Sequence, residues 1–316
     1  MKKKKIIIIT LVTFSVILIG GLGFAGNYFY NLALNPNTPK DIVFGTPDDQ
    51  EQTSGDVLDE DIDWLLNEGP TSELNITSDD GLTLHAYEVL NENKTNKWVI
   101  ATHGYTSDAT QMSSYAKKFY DMGYNVLIPN LRGHGDSEGD YIGMGWHDRL
   151  DMLSWIELIL KGTPDADIVL HGVSMGAATV MMTSGEDLPS NVKAIVADCG
   201  YTSVWDQFAY QLDELFSLPA FPIMHASSLV AKLRAGYYLD EASALEQVKK
   251  SKTPILFIHG DKDDFVPYEM MEELYNAAGS EKEMLTVEGA EHAKSSSANP
   301  ELYWTTIYNF VNKYVK

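Results

Sequence analysis

A serine set between two glycines, Gly172-Val173-Ser174-Met175-Gly176, offers this chain a nucleophile. Residues 168–170 (IVL) read as a buried strand running into it, and residues 175–182 (MGAATVMM) as a helix running out. A strand that turns at once into a helix pushes the residue at the turn past the sheet edge, so the Ser174 hydroxyl would stand exposed. The backbone there is strained, and the positions two before and two after must lack a side chain where helix and strand crowd together. A hydroxyl is a poor nucleophile at neutral pH. The chemistry therefore also needs an imidazole to take and return its proton, and an acid to orient that imidazole. A bare G-x-S-x-G arises by chance in roughly one chain in ten of this length, so the partners must carry the case.

Both partners lie downstream. Residues 254–259 (PILFIH) form a continuous apolar run, the signature of a strand buried on both faces. The run empties into a loop, residues 260–267, that holds Asp261, Asp263 and Asp264. A shorter strand follows at residues 283–287, and the loop after it carries His292. The order is serine, acid, histidine, each just past the end of a strand. Further strands are expected at residues 98–103, 126–130 and 194–198, alternating with helical segments, which argues an α/β domain with a mostly parallel central sheet flanked by helices.

These motifs together resemble the α/β-hydrolase superfamily, close to its bacterial serine esterase and prolyl-oligopeptidase-like branches, over roughly residues 72–314. Residues 98–103 (WVIATH) with Gly104-Tyr105 resemble that family's third strand and oxyanion loop. Arg132-Gly133-His134-Gly135-Asp136-Ser137 resembles its R-G-H-G-x-S loop. The family's acid sits in a D-x-x-V-P context, which selects Asp263 over Asp261 and Asp264. The resemblance implies the α/β-hydrolase fold with a small helical cap, Ser174 as nucleophile, His292 as base and Asp263 as the group orienting it. It also implies backbone N–H groups of Tyr105 and Met175 as donors to the oxyanion. The implied activity is cleavage of carboxylic esters through an acyl-enzyme, with a serine peptidase of the same fold as the alternative and a non-catalytic surface interaction protein as a remote one. Neither a cofactor nor a metal is called for, and the partner is a small-molecule ester or a peptide-like substrate.

Other histidines fit blander roles. His103 precedes the oxyanion loop and reads as ordering it. His134, near Asp136 and Glu138, reads as a loop-ordering group, since no H-E-x-x-H or cysteine-histidine spacing supports zinc. His171 reads as a packed, hydrogen-bonded residue; His85, His147 and His225 show no partner pattern. About fifty residues separate the strand at 194–198 from the one at 254, room for a cap at about 203–246. Its Trp205, Phe208, Tyr210, Leu212, Leu215, Phe216 and Phe221 form either a self-packed helical pair or a pocket over Ser174.

The amino terminus sets the compartment. Four lysines at residues 2–5 precede about twenty largely apolar residues, 6–25, enough to cross a bilayer core of roughly 30 Å. The segment is either an uncleaved anchor or a signal peptide cut after Ala25; the run is longer than a signal peptide's usual one, which favours the anchor. The basic block stays cytoplasmic, so the rest faces outward in either case: single-pass in the cell membrane with an extracellular catalytic domain, or secreted. With 23 Lys+Arg against 45 Asp+Glu the net charge is −22, which argues against nucleic acid as a partner. The lone cysteine, Cys199, rules out an intramolecular disulfide and reads as a buried thiol. Residues 41–69 carry ten acids and no Lys or Arg, and would form a solvated tether or a peripheral helix around Ile62, Trp64 and Leu65. The expected organisation is a membrane segment at 1–25, an acidic segment at 26–71 and the hydrolase-like domain at 72–316.

Overall fold

The strands are β1 (Thr71–Thr77), β2 (Thr83–Val89), β3 (Lys97–Thr102), β4 (Asn125–Pro129), β5 (Asp167–Val173), β6 (Val192–Asp198), β7 (Ile255–Gly260) and β8 (Lys282–Val287). They form one sheet in the order β1-β2-β4-β3-β5-β6-β7-β8 in the computed structural model, which describes residues 2–44 and 58–316. β2 pairs antiparallel with both β1 and β4, and every other pairing is parallel. This is the mostly parallel α/β sheet that the alternation of elements predicts. Apolar runs without alternation mark its centre because both faces are covered. Along β3 to β7, Ile100, Leu127, Leu170, Ile195 and Phe257 enter the core on one face. Their neighbours Val99, Val126, Val169, Val196 and Leu256 enter the core on the other. The edge strands β1 and β8 show mixed, partly exposed burial instead.

One helix, Lys2–Leu34, opens the chain and continues nine residues past the apolar run read from the sequence. It is long and apolar enough to cross a membrane, and its first half packs against nothing. From Gly26 onward it lies along the cap helix Ala220–Ala235. A Cβ at Gly26 would come within 2.7 Å of the Ala226 backbone, so the approach requires glycine. Arg234 donates from Nη1 to Asn27 Oδ1 at 3.1 Å and Asn31 Oδ1 at 2.8 Å, and its guanidinium covers the Tyr30 ring at 4.1 Å.

A helix ends with carbonyls that have no partner of their own. Here each of the last three finds a donor: Lys40 Nζ to Leu32 O at 2.6 Å, Tyr105 Oη to Ala33 O at 2.6 Å, and Ile142 N to Leu34 O at 2.8 Å. The Lys40 ammonium is buried and sits where the helix dipole is negative; burial lowers its pKa to about 8. Within the acidic segment, residues 45–57 lie outside the described residues. Beyond them Asp59–Asp63 is helical and runs into a π turn, Trp64–Glu68, that buries Leu65 completely. This part of the segment is the peripheral helix, not a tether.

The close approach at Gly26 yields a paired test. Gly26→Leu forces the two helices apart, whereas Gly23, with nothing within 4 Å, accepts the same change. In the detergent-solubilised full-length protein, Gly26→Leu is expected to cost about 1–3 kcal/mol, read as a lower Tm. Gly23→Leu should stay within about 0.5 kcal/mol of the wild type.

Candidate active site

Ser174 sits between β5 and the helix Met175–Thr183 with φ 56° and ψ −116°, a backbone conformation that few L-residues adopt. Its N–H donates to Asp198 O on β6 at 2.8 Å, and its carbonyl accepts from Ala178 N at 3.0 Å. The flanking glycines are steric necessities: a Cβ at Gly172 would collide with the Gly176 carbonyl, and one at Gly176 with the Thr102 carbonyl at the end of β3.

Loops after β7 and β8 bring the other two residues to this turn. His292 Nε2 lies 2.9 Å from Ser174 Oγ, and His292 Nδ1 lies 2.7 Å from Asp263 Oδ2. A carboxylate accepts, so Nδ1 carries the proton and Nε2 is left to accept from the serine hydroxyl. Asp263 Oδ1 accepts from the backbone N–H of Phe265 at 3.0 Å and of Val266 at 2.8 Å. This Asx-type turn explains the spacing D-x-x-V-P: residues two and three past the acid supply the donors, and the proline needs none. A further donor was not anticipated. His259 Nε2, at the end of β7, reaches both Val266 O at 2.9 Å and Asp263 Oδ2 at 3.0 Å. The Val266 carbonyl can only accept, so this nitrogen carries a proton shared with the carboxylate. Burial pushes the Asp263 pKa up, but the hydrogen bonds from His259 and His292 outweigh it and hold the acid well below the usual carboxylate range. Asp261 instead accepts from Gly289 N at 2.6 Å, and Asp264 is exposed.

The cap braces the acid loop. Gln207 and Gln211 each donate from Nε2 to Phe265 O at 2.8 Å, and Tyr210 Oη donates to Asp264 O at 3.0 Å. All three lie on the helix Val204–Phe216, where Gln207 stands one turn before Tyr210 and Gln211 on the same face. The Phe265 ring, fixed by these bonds, lies 4.9 Å from the imidazole of His292. Met175 opens the helix after Ser174, where N–H groups have no acceptor within the helix. The Tyr105 loop lies alongside: a Cβ on Gly104 would sit 3.5 Å from Ser174 Cβ. Ser174 opens onto an apolar pocket whose empty volume, mouth included, is about 870 Å³. Phe208, Leu212, Leu215 and Phe216 of the cap line it; so do Phe29, Leu32, Ala33 and Leu34 of the opening helix. Of the other cap aromatics, Trp205 and Phe221 pack on His225 at 5.0 and 5.4 Å, and Tyr210 serves the acid loop.

Buried polar groups surround this array. His103 donates from Nδ1 to Gly104 O at 2.8 Å and accepts Leu131 N–H on Nε2 at 3.0 Å, tying the loops after β3 and β4 together. Burial lowers its pKa to about 4, and that of His134, whose ring centroid is 5.0 Å away, to about 3. Both are neutral loop-ordering groups. His171 is buried, with Nε2 3.3 Å from Tyr303 Oη. Arg132 forms a bidentate pair with Asp151 at 2.8 and 2.7 Å and also bonds Asp80 at 2.8 Å, pinning the R-G-H-G loop. Cys199 Sγ, an Asp263 oxygen and a His292 nitrogen lie within 4.8 Å of one another. Both His292 nitrogens already hold partners, and burial raises the Cys199 thiol well above its ordinary pKa, so the trio is a poor metal site.

Known proteins share this arrangement's framework. Residues 110–316 match the prolyl oligopeptidase family. The uncharacterized protein YqkD of Bacillus subtilis (strain 168) is 31% identical over 233 residues, 73% of this chain and 76% of YqkD. The esterase Pf2001 of Pyrococcus furiosus superposes with a TM-score of 0.64 at 23% identity, over 83% of this chain and 98% of its own. The acylaminoacyl peptidase of Pyrococcus horikoshii superposes with a TM-score of 0.59 at 19% identity, over 78% of this chain and 42% of its own. Both structures share the fold with this chain.

Two predictions come from the acids. Asp263→Asn supports the wrong tautomer of His292 and is expected to lower kcat on the order of 10⁴-fold. Asp261→Asn and Asp264→Asn should cost less than about tenfold, and a crippled Asp264→Asn would move the orienting role to that residue. Asp198 is fully buried and accepts from Ser295 Oγ at 3.1 Å. Burial, opposed by hydrogen bonds from Tyr303 and Ser295 and by nearby histidines, lifts its pKa from 3.8 to about 6. Between those values the folded state holds a proton that the unfolded chain has released, so stability falls as pH rises through the window. Asp198→Asn removes this fall. Measured by thermal melts, the variant should gain on the wild type between pH 4 and pH 7 by up to roughly 3 kcal/mol. A difference that does not change with pH would refute the assignment.

Proposed function

The chain belongs to the prolyl oligopeptidase family of the α/β-hydrolase superfamily and is a serine hydrolase, and on that premise we propose that it is a membrane-tethered, extracytoplasmic enzyme cleaving carboxylic esters. The observation that carries the reading is the hydrogen-bonded line Asp263, His292, Ser174 at the wall of an apolar pocket. Ser174 Oγ attacks the ester carbonyl carbon while His292 Nε2 takes its proton. The oxyanion of the tetrahedral intermediate is received by the backbone N–H groups of Tyr105 and Met175. Collapse breaks the C–O bond to the alcohol, which leaves with the proton from His292, and the acyl group stays on Ser174. Water then attacks with His292 again as base, and the carboxylic acid departs. Asp263 remains ionised throughout, fixing the imidazole and balancing its positive charge.

An ester is favoured because the pocket lining is mainly apolar and, among the described residues, holds no charged side chain to pair with the charged terminus of a peptide. A peptidase is the second reading, favoured by family membership. The tether rests on the apolar opening helix, and the outward orientation on the lysines at residues 2–5.

A membrane-impermeant fluorophosphonate applied to intact protoplasts tests nucleophile and topology together. Wild type in the membrane fraction should be labelled and Ser174→Ala should not. Equal labelling of the two would remove Ser174 from the role, and labelling only after lysis would reverse the topology. The purified enzyme should turn over p-nitrophenyl esters at a kcat/KM at least about a hundredfold above matching peptide p-nitroanilides; the reverse preference would select the peptidase.

A further inference from the structure

The opening helix does one thing that a simple anchor does not. Beyond its basic start it is exposed and largely apolar from Ile6 to Ile19, as an anchor would be, but its last turns are part of the pocket in front of Ser174. Phe29, Leu32, Ala33 and Leu34 face Leu212 and Phe216 across that pocket, with the Phe29 and Phe216 rings edge to face at 5.3 Å. The wall is fixed in place, since the donors from Lys40, Tyr105 and Ile142 hold its terminal carbonyls. It also lies beyond Ala25, so cutting the chain there would leave it standing.

The register of the two packed helices fixes where a bilayer would meet the cap. Gly26 lies against Ala226, while Asn27 and Asn31 bond Arg234, so the helices run side by side in the same direction. Phe221, at the kink near the start of the cap helix, is 73% exposed, and Leu229 and Leu233, four residues apart on one face of that helix, are 51% and 77% exposed. These exposed apolar side chains stand on the same helix that packs against the end of a segment long and apolar enough to cross a membrane, and they suit contact with a bilayer surface.

We propose that the final turns of the opening helix form one wall of an acyl-chain pocket, and that the enzyme draws a long-chain ester of a membrane amphiphile directly from the bilayer surface into it. The proposal rests on the ester-hydrolase reading above. Each methylene of a long chain resists exposure to water, so passage along the apolar helix face avoids the barrier that a route through solvent would impose. The chain then lies against Phe29, Ala33 and Leu212 with its carbonyl at Ser174.

The test uses the full-length protein reconstituted in phosphatidylcholine vesicles, with p-nitrophenyl palmitate in the same vesicles and p-nitrophenyl acetate in the buffer. Ala33→Trp narrows the pocket and should lower the palmitate-to-acetate ratio of kcat/KM at least tenfold. The smaller Ala33→Leu, the safer variant to fold, should lower it several-fold. Phe14→Trp, at an exposed position far from the pocket, should leave the ratio within twofold of the wild type. Palmitate supplied in separate vesicles should be cleaved at least tenfold more slowly than palmitate in the enzyme's own. An unchanged ratio in both Ala33 variants, or equal rates from the two vesicle populations, would overturn the proposal while fluorophosphonate labelling of Ser174 kept the hydrolase reading. Loss of both ester activities and of labelling in the wild type would overturn both.

Discussion

A buried carboxylate organises this molecule. Asp263 has lost its water, and a charge in that position persists only where fixed donors replace the lost hydration. Four donors do so: two backbone amides of its own turn and one nitrogen each from His259 and His292. Each donor imposes a demand on a different element. The amides require the turn after β7, His259 requires that strand's last residues to point beneath the loop, and His292 requires the loop after β8 to fold back across it. The cap joins in through Gln207 and Gln211, which hold the carbonyl of Phe265 and so the turn itself. The imidazole that meets Ser174 is thus positioned by an ion whose own environment spans two strands and a cap.

The serine side is governed by contact distances. Helix and sheet approach so closely at Gly172 and Gly176 that only hydrogen fits, and the strained torsions of Ser174 are held by the Asp198 carbonyl and by the helix that follows. Steric rules of this kind leave a mark on sequence, because just one residue type satisfies them. That is why the elbow was legible at residues 172–176, together with the strand before it and the helix after it. The central strands were legible for a related reason: burial on both faces forbids polar residues over several positions in a row. β1 and β2 carried no such mark, since β1 has one face open to water and its residues are largely polar.

The rest was hidden for physical reasons that differ from case to case. His259 reads as the polar end of an apolar run, and only the fold of the next loop brings a carboxylate to it. Gln207, Tyr210 and Gln211 are ordinary residues of an amphipathic helix; their partners are backbone carbonyls some fifty positions away, and backbone groups have no sequence signature. The aromatic cluster of the cap left two readings open, and the structure divides it between them: Phe208, Leu212, Leu215 and Phe216 turn to the pocket, while Trp205 and Phe221 pack on His225. The opening helix was legible as a long apolar segment through residue 25, where the apolar composition fades. Its last nine residues are mixed in character because they face a protein surface on one side and solvent on the other.

Tyr105 joins these two halves of the molecule. Its backbone belongs to the loop beside Ser174, where the oxyanion role is proposed, and its hydroxyl bonds the Ala33 carbonyl at 2.6 Å at the end of the opening helix. Burial raises the phenol far above its ordinary pKa, so it stays protonated and keeps donating at any physiological pH. A neutral, buried hydrogen bond of this length is not weakened by salt, unlike an ion pair at the surface. The loop and the helix end are thereby tied to one another, while Lys40 and Ile142 bond the neighbouring carbonyls of Leu32 and Leu34. Of these three hydrogen bonds within one helical turn, the one from Tyr105 links the helix end directly to the loop beside Ser174. An anchor attached through a flexible tether would deliver no such constraint. The sequence after residue 34 supplies the tie itself, since Lys40 closes the helix six residues beyond its end.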